Sequence, residues 1–191
     1  MRYAIAVFFV LGLVTNSHGA PIQFFHQGSA SGTINGVPFS ETPFSIFALG
    51  NTDNRTEQSD PHVFSIDHSF AEIEIAGIGI IEFDTPTRTF YNLDSDLVGF
   101  ARAGLLGSDL IDGPFGGPLE NWNMRSSIGP TSSSGHVLQW NDGEILTNGV
   151  TLTLNTASQV FLTFTAIVTP EPSSLCLCIG SIVLLGIRRQ S

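Results

Sequence analysis

Acidic side chains are the residues of this sequence best suited to chemistry. Asp53, Glu57 and Asp60 lie in the segment 51–60, which contains no apolar residue, and Asp94 and Asp96 form a second acidic pair. Carboxylate oxygens presented by a polar loop are the ligands that calcium prefers. No Asp-x-Asp-x-Asp-Gly pattern occurs. The sequence therefore predicts no cofactor beyond a candidate calcium site that uses Asp53, Asp60, Asp94 and Asp96.

The other reactive residues match no known catalytic pattern. The histidines after residue 20 form no His-Glu-x-x-His pair, there is no Gly-x-Ser-x-Gly motif and no lysine, and both cysteines, Cys176 and Cys178, lie near the C-terminal end. Glu72 and Glu74 share one strand face, as a glycosidase pair would, but that face is polar. We therefore predict a non-enzymatic protein. A hydrolase built from scattered acids is the less favoured alternative.

Aromatic residues are candidates for binding a sugar. Trp140 follows the alternation of a strand and is predicted to lie in the core. Trp122 lies in the segment 104–125, which is rich in Gly and Pro and shows no clear strand pattern. A ring in an exposed loop offers an apolar face on which a sugar stacks. The sequence makes Trp122 the candidate sugar contact.

Three elements follow one another at the C-terminal end, over residues 169–191. Pro170-Glu171-Pro172 is held extended, because proline restricts its own φ and disfavours helix in the residue before it. The apolar residues 173–187 are satisfied in lipid as a helix, and Arg188 and Arg189, in the basic end 188–191, stay on the cytoplasmic side. This order resembles the PEP-CTERM sorting tail of Gram-negative bacteria, also known as the "ice-binding protein C-terminal" domain.

The resemblance implies partners and a destination. In the PEP-CTERM family the tail is recognised by an exosortase, a membrane cysteine enzyme, and the proteins are associated with exopolysaccharide and biofilm. Carried over to this chain, the sorting motif is Pro170, Glu171 and Pro172, and the partners are an exosortase-like membrane protease and a polysaccharide matrix. The chain is expected first as an intermediate anchored in the inner membrane, then at the cell surface or outside a Gram-negative-type bacterium.

The N-terminal residues have the pattern of a signal peptide over 1–19. Met1-Arg2 is a short basic region, residues 4–14 are apolar, and residues 15–20 are small or polar. Cleavage between Gly19 and Ala20 places Ser17 and Gly19 at the two positions where small residues are required. The sequence therefore predicts an exported protein whose mature chain begins at Ala20.

Charge excludes one class of partner. The sequence has 17 Asp and Glu against seven Arg, and its formal net charge is −10. Such a surface repels the phosphates of nucleic acids and of anionic lipids. We therefore expect no nucleic-acid partner.

The residues between the two terminal segments, 20–168, predict an all-β fold. β-Branched and aromatic residues cluster in short runs separated by turn signals, and Asn35-Gly36 favours a type I′ hairpin. This pattern is typical of an antiparallel β-sandwich or jelly-roll-like domain, here between a signal peptide and a single C-terminal transmembrane helix. We predict loops at residues 51–60 and 128–135. Gly32 to Phe39 and Ser127 to Pro130 also resemble segments common in the bodies of PEP-CTERM proteins, which implies no specific activity.

The function expected from the sequence alone is that of an exported, matrix-associated, non-enzymatic protein. A carbohydrate-binding module and a calcium-binding adhesin stay open as alternatives.

Overall fold

The computed structural model describes residues 19–104, 108–140 and 145–169, and these residues confirm an all-β, antiparallel fold. Two short 3₁₀ turns, Thr52–Asn54 and Gly117–Leu119, interrupt the strands. The strands of the described residues are β1 (Pro21–Ile34), β2 (Val37–Asn51), β3 (Arg55–Glu57), β4 (Val63–Asp67), β5 (Phe70–Ile75), β6 (Gly79–Glu82), β7 (Thr87–Asn92), β8 (Leu97–Arg102), β9 (Asp109–Phe115), β10 (Ile128–Val137), β11 (Ile145–Thr147), β12 (Val150–Leu154) and β13 (Ala157–Val168).

The strands form one continuous sheet in the order β3-β4-β7-β8-β9-β10-β13-β1-β2-β5-β6, with β12 also paired to β1 and β11 paired to β12. The predicted hairpin joins β1 to β2. Asn35 and Gly36 have φ of 49° and 78°, the positive values that a type I′ turn requires. At the other end of β1, Ile22 pairs with Val168 of β13, and the Thr169 N–H donates to the Pro21 carbonyl at 3.0 Å. The first and last strands are therefore neighbours.

The sheet curls around a single main core. His26 on β1 and Phe100 on β8 are separated by three intervening strands in the sheet, yet their ring centroids are only 5.6 Å apart. Side chains alternate on β1 and β2: Phe24, His26 and Ile46 point inward and are buried, whereas Phe25 and Phe47 lie on the outer face. This alternation gives β1 and β2 one buried and one solvent-facing side, whereas β8 is buried on both faces.

The predicted loop at residues 128–135 is wrong, and the one at residues 51–60 is wrong in part. Residues 128–135 belong to β10, because β13 supplies a pairing partner for a segment whose own Ser and Thr residues carry little apolar signal. The segment 51–60 contains the 3₁₀ turn Thr52–Asn54 and the edge strand β3. In the part of the chain that the structure describes, no helix is long and apolar enough to span a membrane. The predicted transmembrane segment 173–187 and residues 1–18 of the predicted signal peptide lie outside that part.

Candidate functional site

The four candidate calcium ligands do not come together. The Asp60 Oδ1 accepts from the His62 backbone N–H at 3.0 Å, and an Asp94 carboxylate oxygen lies 2.9 Å from His62 Nδ1. Asp96 instead accepts from the Tyr91 hydroxyl at 3.0 Å, and Asp53 accepts from the Gly19 backbone N–H at 2.5 Å. Among the described residues, no group of three or more His, Cys, Asp or Glu side chains is assembled for a metal.

His62 hydrogen-bonds to both Asp60 and Asp94. Its hydrogen bond to Asp94, with the charge of that carboxylate, raises the pKa of the exposed imidazole above its ordinary value. Asp60 and Asp94 therefore have a cation partner of their own whenever His62 is protonated.

The prediction that Trp122 contacts a sugar is wrong for this conformation. Trp122 is only 5% exposed, its indole N–H donates to the Ser126 carbonyl at 2.9 Å, and its ring packs edge-on against Phe164 and Tyr91. Leu119, in the same Gly- and Pro-rich segment, is also buried in the core. Trp140 is buried as predicted, and its indole N–H donates to the Leu110 carbonyl at 2.7 Å.

A buried histidine, His26, and a partly buried one, His68, share a polar contact. The Thr89 hydroxyl lies 3.1 Å from His26 Nε2 and 3.0 Å from His68 Nε2, and the Thr87 hydroxyl lies 2.9 Å from His68 Nδ1. Burial lowers the pKa of His26 and of His68 to about 3 in each case. Both imidazoles are therefore neutral at physiological pH. They serve the packing of the core beside Phe24, Phe100 and Phe164.

A row of aromatic rings crosses the outer face of the sheet. Phe25 on β1, Phe47 on β2 and Phe70 on β5 are each half-buried, and successive ring centroids are 5.2 and 6.3 Å apart. Phe25 lies directly opposite Phe47, whereas Phe70 lies opposite Leu49 and reaches Phe47 diagonally. We call these three rings, with the polar residues beside them, the aromatic face.

The polar residues of the aromatic face line both sides of the rings. Gln23 and Gln27 alternate with Phe25 on β1, and Glu72 and Glu74 follow Phe70 on β5. Gln27, Ser45 and Glu74 lie next to one another in register and line a shallow depression of about 210 Å³. The arrangement can pack an apolar surface against the rings while it hydrogen-bonds the polar groups of the same ligand.

This face was not predicted from the sequence. The alternation of the two strands does indicate that Phe25 and Phe47 face outward, because the residues on either side of each are buried. The sequence does not indicate that they lie opposite one another, because that depends on the register of the β1–β2 pair.

Of the remaining candidate residues, some lie within the residues that the structure describes and others lie outside them. Pro170, Glu171, Pro172, Arg188 and Arg189 lie outside it. Gly19 and Ala20 lie inside it, against the turn at residues 51–53.

Comparison of the chain with protein-family models, with curated proteins and with solved structures produced no match.

Proposed function

We propose that the chain is an exported, non-enzymatic protein of the extracellular matrix that binds polysaccharide through its aromatic face. The proposal includes sorting by an exosortase-type system through Pro170-Glu171-Pro172, and a β-sandwich of jelly-roll type as the class of the curled sheet. The aromatic face is the observation that carries the binding function. The order of signal peptide, β domain and tail in the sequence supports export and sorting.

Exposing the three rings to water is unfavourable, and a ligand that covers them would remove this free-energy cost. Half-exposed phenylalanines in contact across three strands form an apolar strip on the solvent side of a sheet. Contiguous exposed apolar surface rimmed by polar groups is a feature of interaction sites and ligand-binding grooves. The C–H face of a sugar ring is apolar enough to pack on such rings, and its hydroxyls need the donors and acceptors of Gln and Glu.

The acidic residues of the aromatic face determine which class of polysaccharide it can bind. Glu72 lies directly opposite Glu82, and Glu74 is on the same face. Like charges directly opposite one another destabilise a sheet, so stability does not explain this placement. The arginines among the described residues, Arg55, Arg88, Arg102 and Arg125, lie on or near other strands. The face therefore suits a neutral or amine-bearing polysaccharide and repels an acidic one.

A hydrolase is the less favoured alternative. The carboxyl groups whose pKa burial raises, Asp109 and Asp112, lie on β9. That strand is three strands away from β1 in the sheet order and is not part of the aromatic face.

Depletion from solution by insoluble polysaccharides tests the binding function. We expect cellulose or chitosan to retain the purified chain and cross-linked alginate, which is acidic, to leave it in solution. Phe47→Ala should weaken the binding roughly tenfold, because it removes the central ring of the row. Phe161→Ala is the matched control, since Phe161 is 69% exposed on β13 but lies outside the row. Equal effects of the two substitutions would argue against the aromatic face.

Cell fractionation tests the sorting motif. With Pro170, Glu171 and Pro172 all replaced by Ala, we expect the protein to accumulate in the inner membrane, because residues 173–187 and the terminal arginines remain as an anchor. A chain that stops before Ser173 should instead be released from the membrane. Normal surface delivery of the triple variant would mean that the three residues serve only as a spacer.

A further inference from the structure

The two residues that flank the predicted cleavage site, Gly19 and Ala20, are bound by the turn at residues 51–53. The Ala20 N–H donates to Thr52 Oγ1 at 2.9 Å, and the Thr52 N–H donates to the Ala20 carbonyl at 3.0 Å. One residue earlier, the Gly19 N–H donates to Asp53 Oδ2 at 2.5 Å, and the Gly19 carbonyl accepts from Asn51 Nδ2 at 3.0 Å. Every backbone donor and acceptor of Gly19 and Ala20 thus has a partner in one short turn.

The turn fixes the positions of its hydrogen-bonding groups, and it has room for main-chain atoms only. Its own conformation is fixed by the Asn51 side chain, whose Oδ1 accepts from the Asp53 N–H at 2.8 Å at the start of the 3₁₀ turn. Gly19 is buried there, and a Cβ at this position would overlap the side chains of Asn51 and Asp53. The acceptors are therefore arranged for a backbone nitrogen and leave no room for a side chain.

A carboxylate and a hydroxyl bind an ammonium group better than they bind a peptide N–H. The ammonium carries a full positive charge and three donors, and charge-assisted hydrogen bonds are about twice as strong as neutral ones. Hydrolysis of the Gly19–Ala20 bond consumes one water, leaves a carboxylate on the released Gly19 and creates an ammonium on Ala20. It also vacates the place of Gly19 beside Asp53.

We infer that Thr52 and Asp53 form the binding site of the α-ammonium group that signal-peptide removal creates. The inference rests on the proposed export and processing. Thr52 Oγ1 keeps the Ala20 nitrogen, and the Asp53 carboxylate neutralises its new charge. Processing then adds an ion pair at the start of β1, which pairs with both β2 and β13. The mature chain gains an anchor for its first strand that the precursor's amide does not provide.

The reactivity of the amine tests this site. The full chain is made with residues 1–19 replaced by a removable leader that a site-specific protease cuts directly before Ala20. Since the sequence has no lysine, the α-amine is then its sole aliphatic primary amine. Acetylation by an amine-reactive ester at pH 7, followed by mass spectrometry, should be roughly three- to tenfold slower in the folded chain than in urea, because ion pairing raises the pKa of the amine.

Two variants separate the site from general shielding. Asp53→Asn should bring the acetylation rate to within about twofold of the rate in urea, as expected when the charge partner is lost. Asp60→Asn removes a carboxylate from the same segment and should leave the slow rate unchanged. Equal rates for these two variants, or a folded chain that reacts as fast as the unfolded one, would overturn the inference.

A second measurement applies if Asp53→Asn does not fold. An amine whose pKa is raised in the folded state stabilises the chain below about pH 7.7, and this contribution is lost as the pH rises through the folded value. The melting temperature of the cut chain should therefore fall between pH 7 and 9.5 relative to the uncut chain. Identical profiles would refute the site. N-terminal sequencing of the exported protein tests processing separately: Met1 as first residue would refute cleavage after Gly19, whatever the cut chain shows.

Discussion

The imidazoles of His26, which is buried, and of His68, which is partly buried, make the core sensitive to acid. His26 is 2% exposed, and its Nδ1 has no hydrogen-bond partner among the described residues. Protonating either ring would place a charge among the phenylalanines of the core. The neutral form is strongly preferred in the folded state, which is why both pKa values fall to about 3.

The first prediction concerns this sensitivity. Because the folded pKa values lie below the ordinary value of 6.5, the stabilisation is complete above about pH 6.5 and is lost as the pH falls towards 3. At pH 5 the loss should be on the order of 4 kcal/mol for the pair. Chemical denaturation at pH 7 and pH 5 measures it. His26→Phe, which keeps an aromatic ring in the core, should remove about half of the difference.

Asp112 acts in the opposite direction and supplies a control. Burial raises its pKa to about 6, so its contribution to stability is present at low pH and is lost as the pH rises through 6. Asp112→Asn should therefore steepen the fall in stability between pH 7 and pH 5. A variant of His26 with the same pH profile as the unaltered chain would contradict the assignment of the acid sensitivity to the imidazoles.

At the scale of elements, the β1–β2 hairpin shows where sequence inference stops. Asn35-Gly36 predicts the turn, but an irregularity between Ala30 and Gly32 shifts the register by one residue. Without the shift, Phe25 would not lie opposite Phe47. Gly32 lies against Leu154 of β12, and a Cβ there would overlap the Thr153 carbonyl. The register therefore depends on a strand about 120 residues away, which local pattern does not reveal.

The second prediction concerns β13. This strand pairs with β1 on one side and β10 on the other, so its removal divides the sheet into two halves with unpaired edges. A chain that stops after Asn155 should show no cooperative unfolding transition in urea. A chain that stops after Thr169 retains β13 and is the control. A cooperative transition at the same urea concentration in both chains would show that the halves are independent.

At the scale of the whole molecule, composition and turn spacing predict the all-β antiparallel class, and the structure bears this out. They do not predict that β1 lies between β2 and β13, or that β4 pairs with β7. Such pairs are selected by the fit of side chains across the curled sheet, as between His26 and Phe100. The same reason explains Trp122. Its loop-like surroundings favour exposure, and long-range packing against Phe164 determines its burial.

The third prediction concerns net charge. A chain with a formal charge of −10 repels itself in the folded state, and added salt screens that repulsion. Its melting temperature should rise with sodium chloride and should not respond to a reducing agent, because both cysteines lie in the tail. Calcium should raise it further only if Asp60 and Asp94, which already meet at His62, also bind the ion. Equal shifts with calcium and magnesium at matched ionic strength would indicate screening alone.

The hydrogen bond from Thr169 to Pro21 determines how the domain bears force. The chain enters and leaves the domain at adjacent points of one antiparallel strand pair. A pull between the two ends therefore loads the Ile22–Val168 pair first and opens β1 from β13 one hydrogen bond at a time. Strands pulled along their length would have to break all of their bonds together and would resist more. A domain that is attached at one end only carries no force across the β1–β13 pair. Removing either terminal segment should therefore protect the domain from mechanical opening.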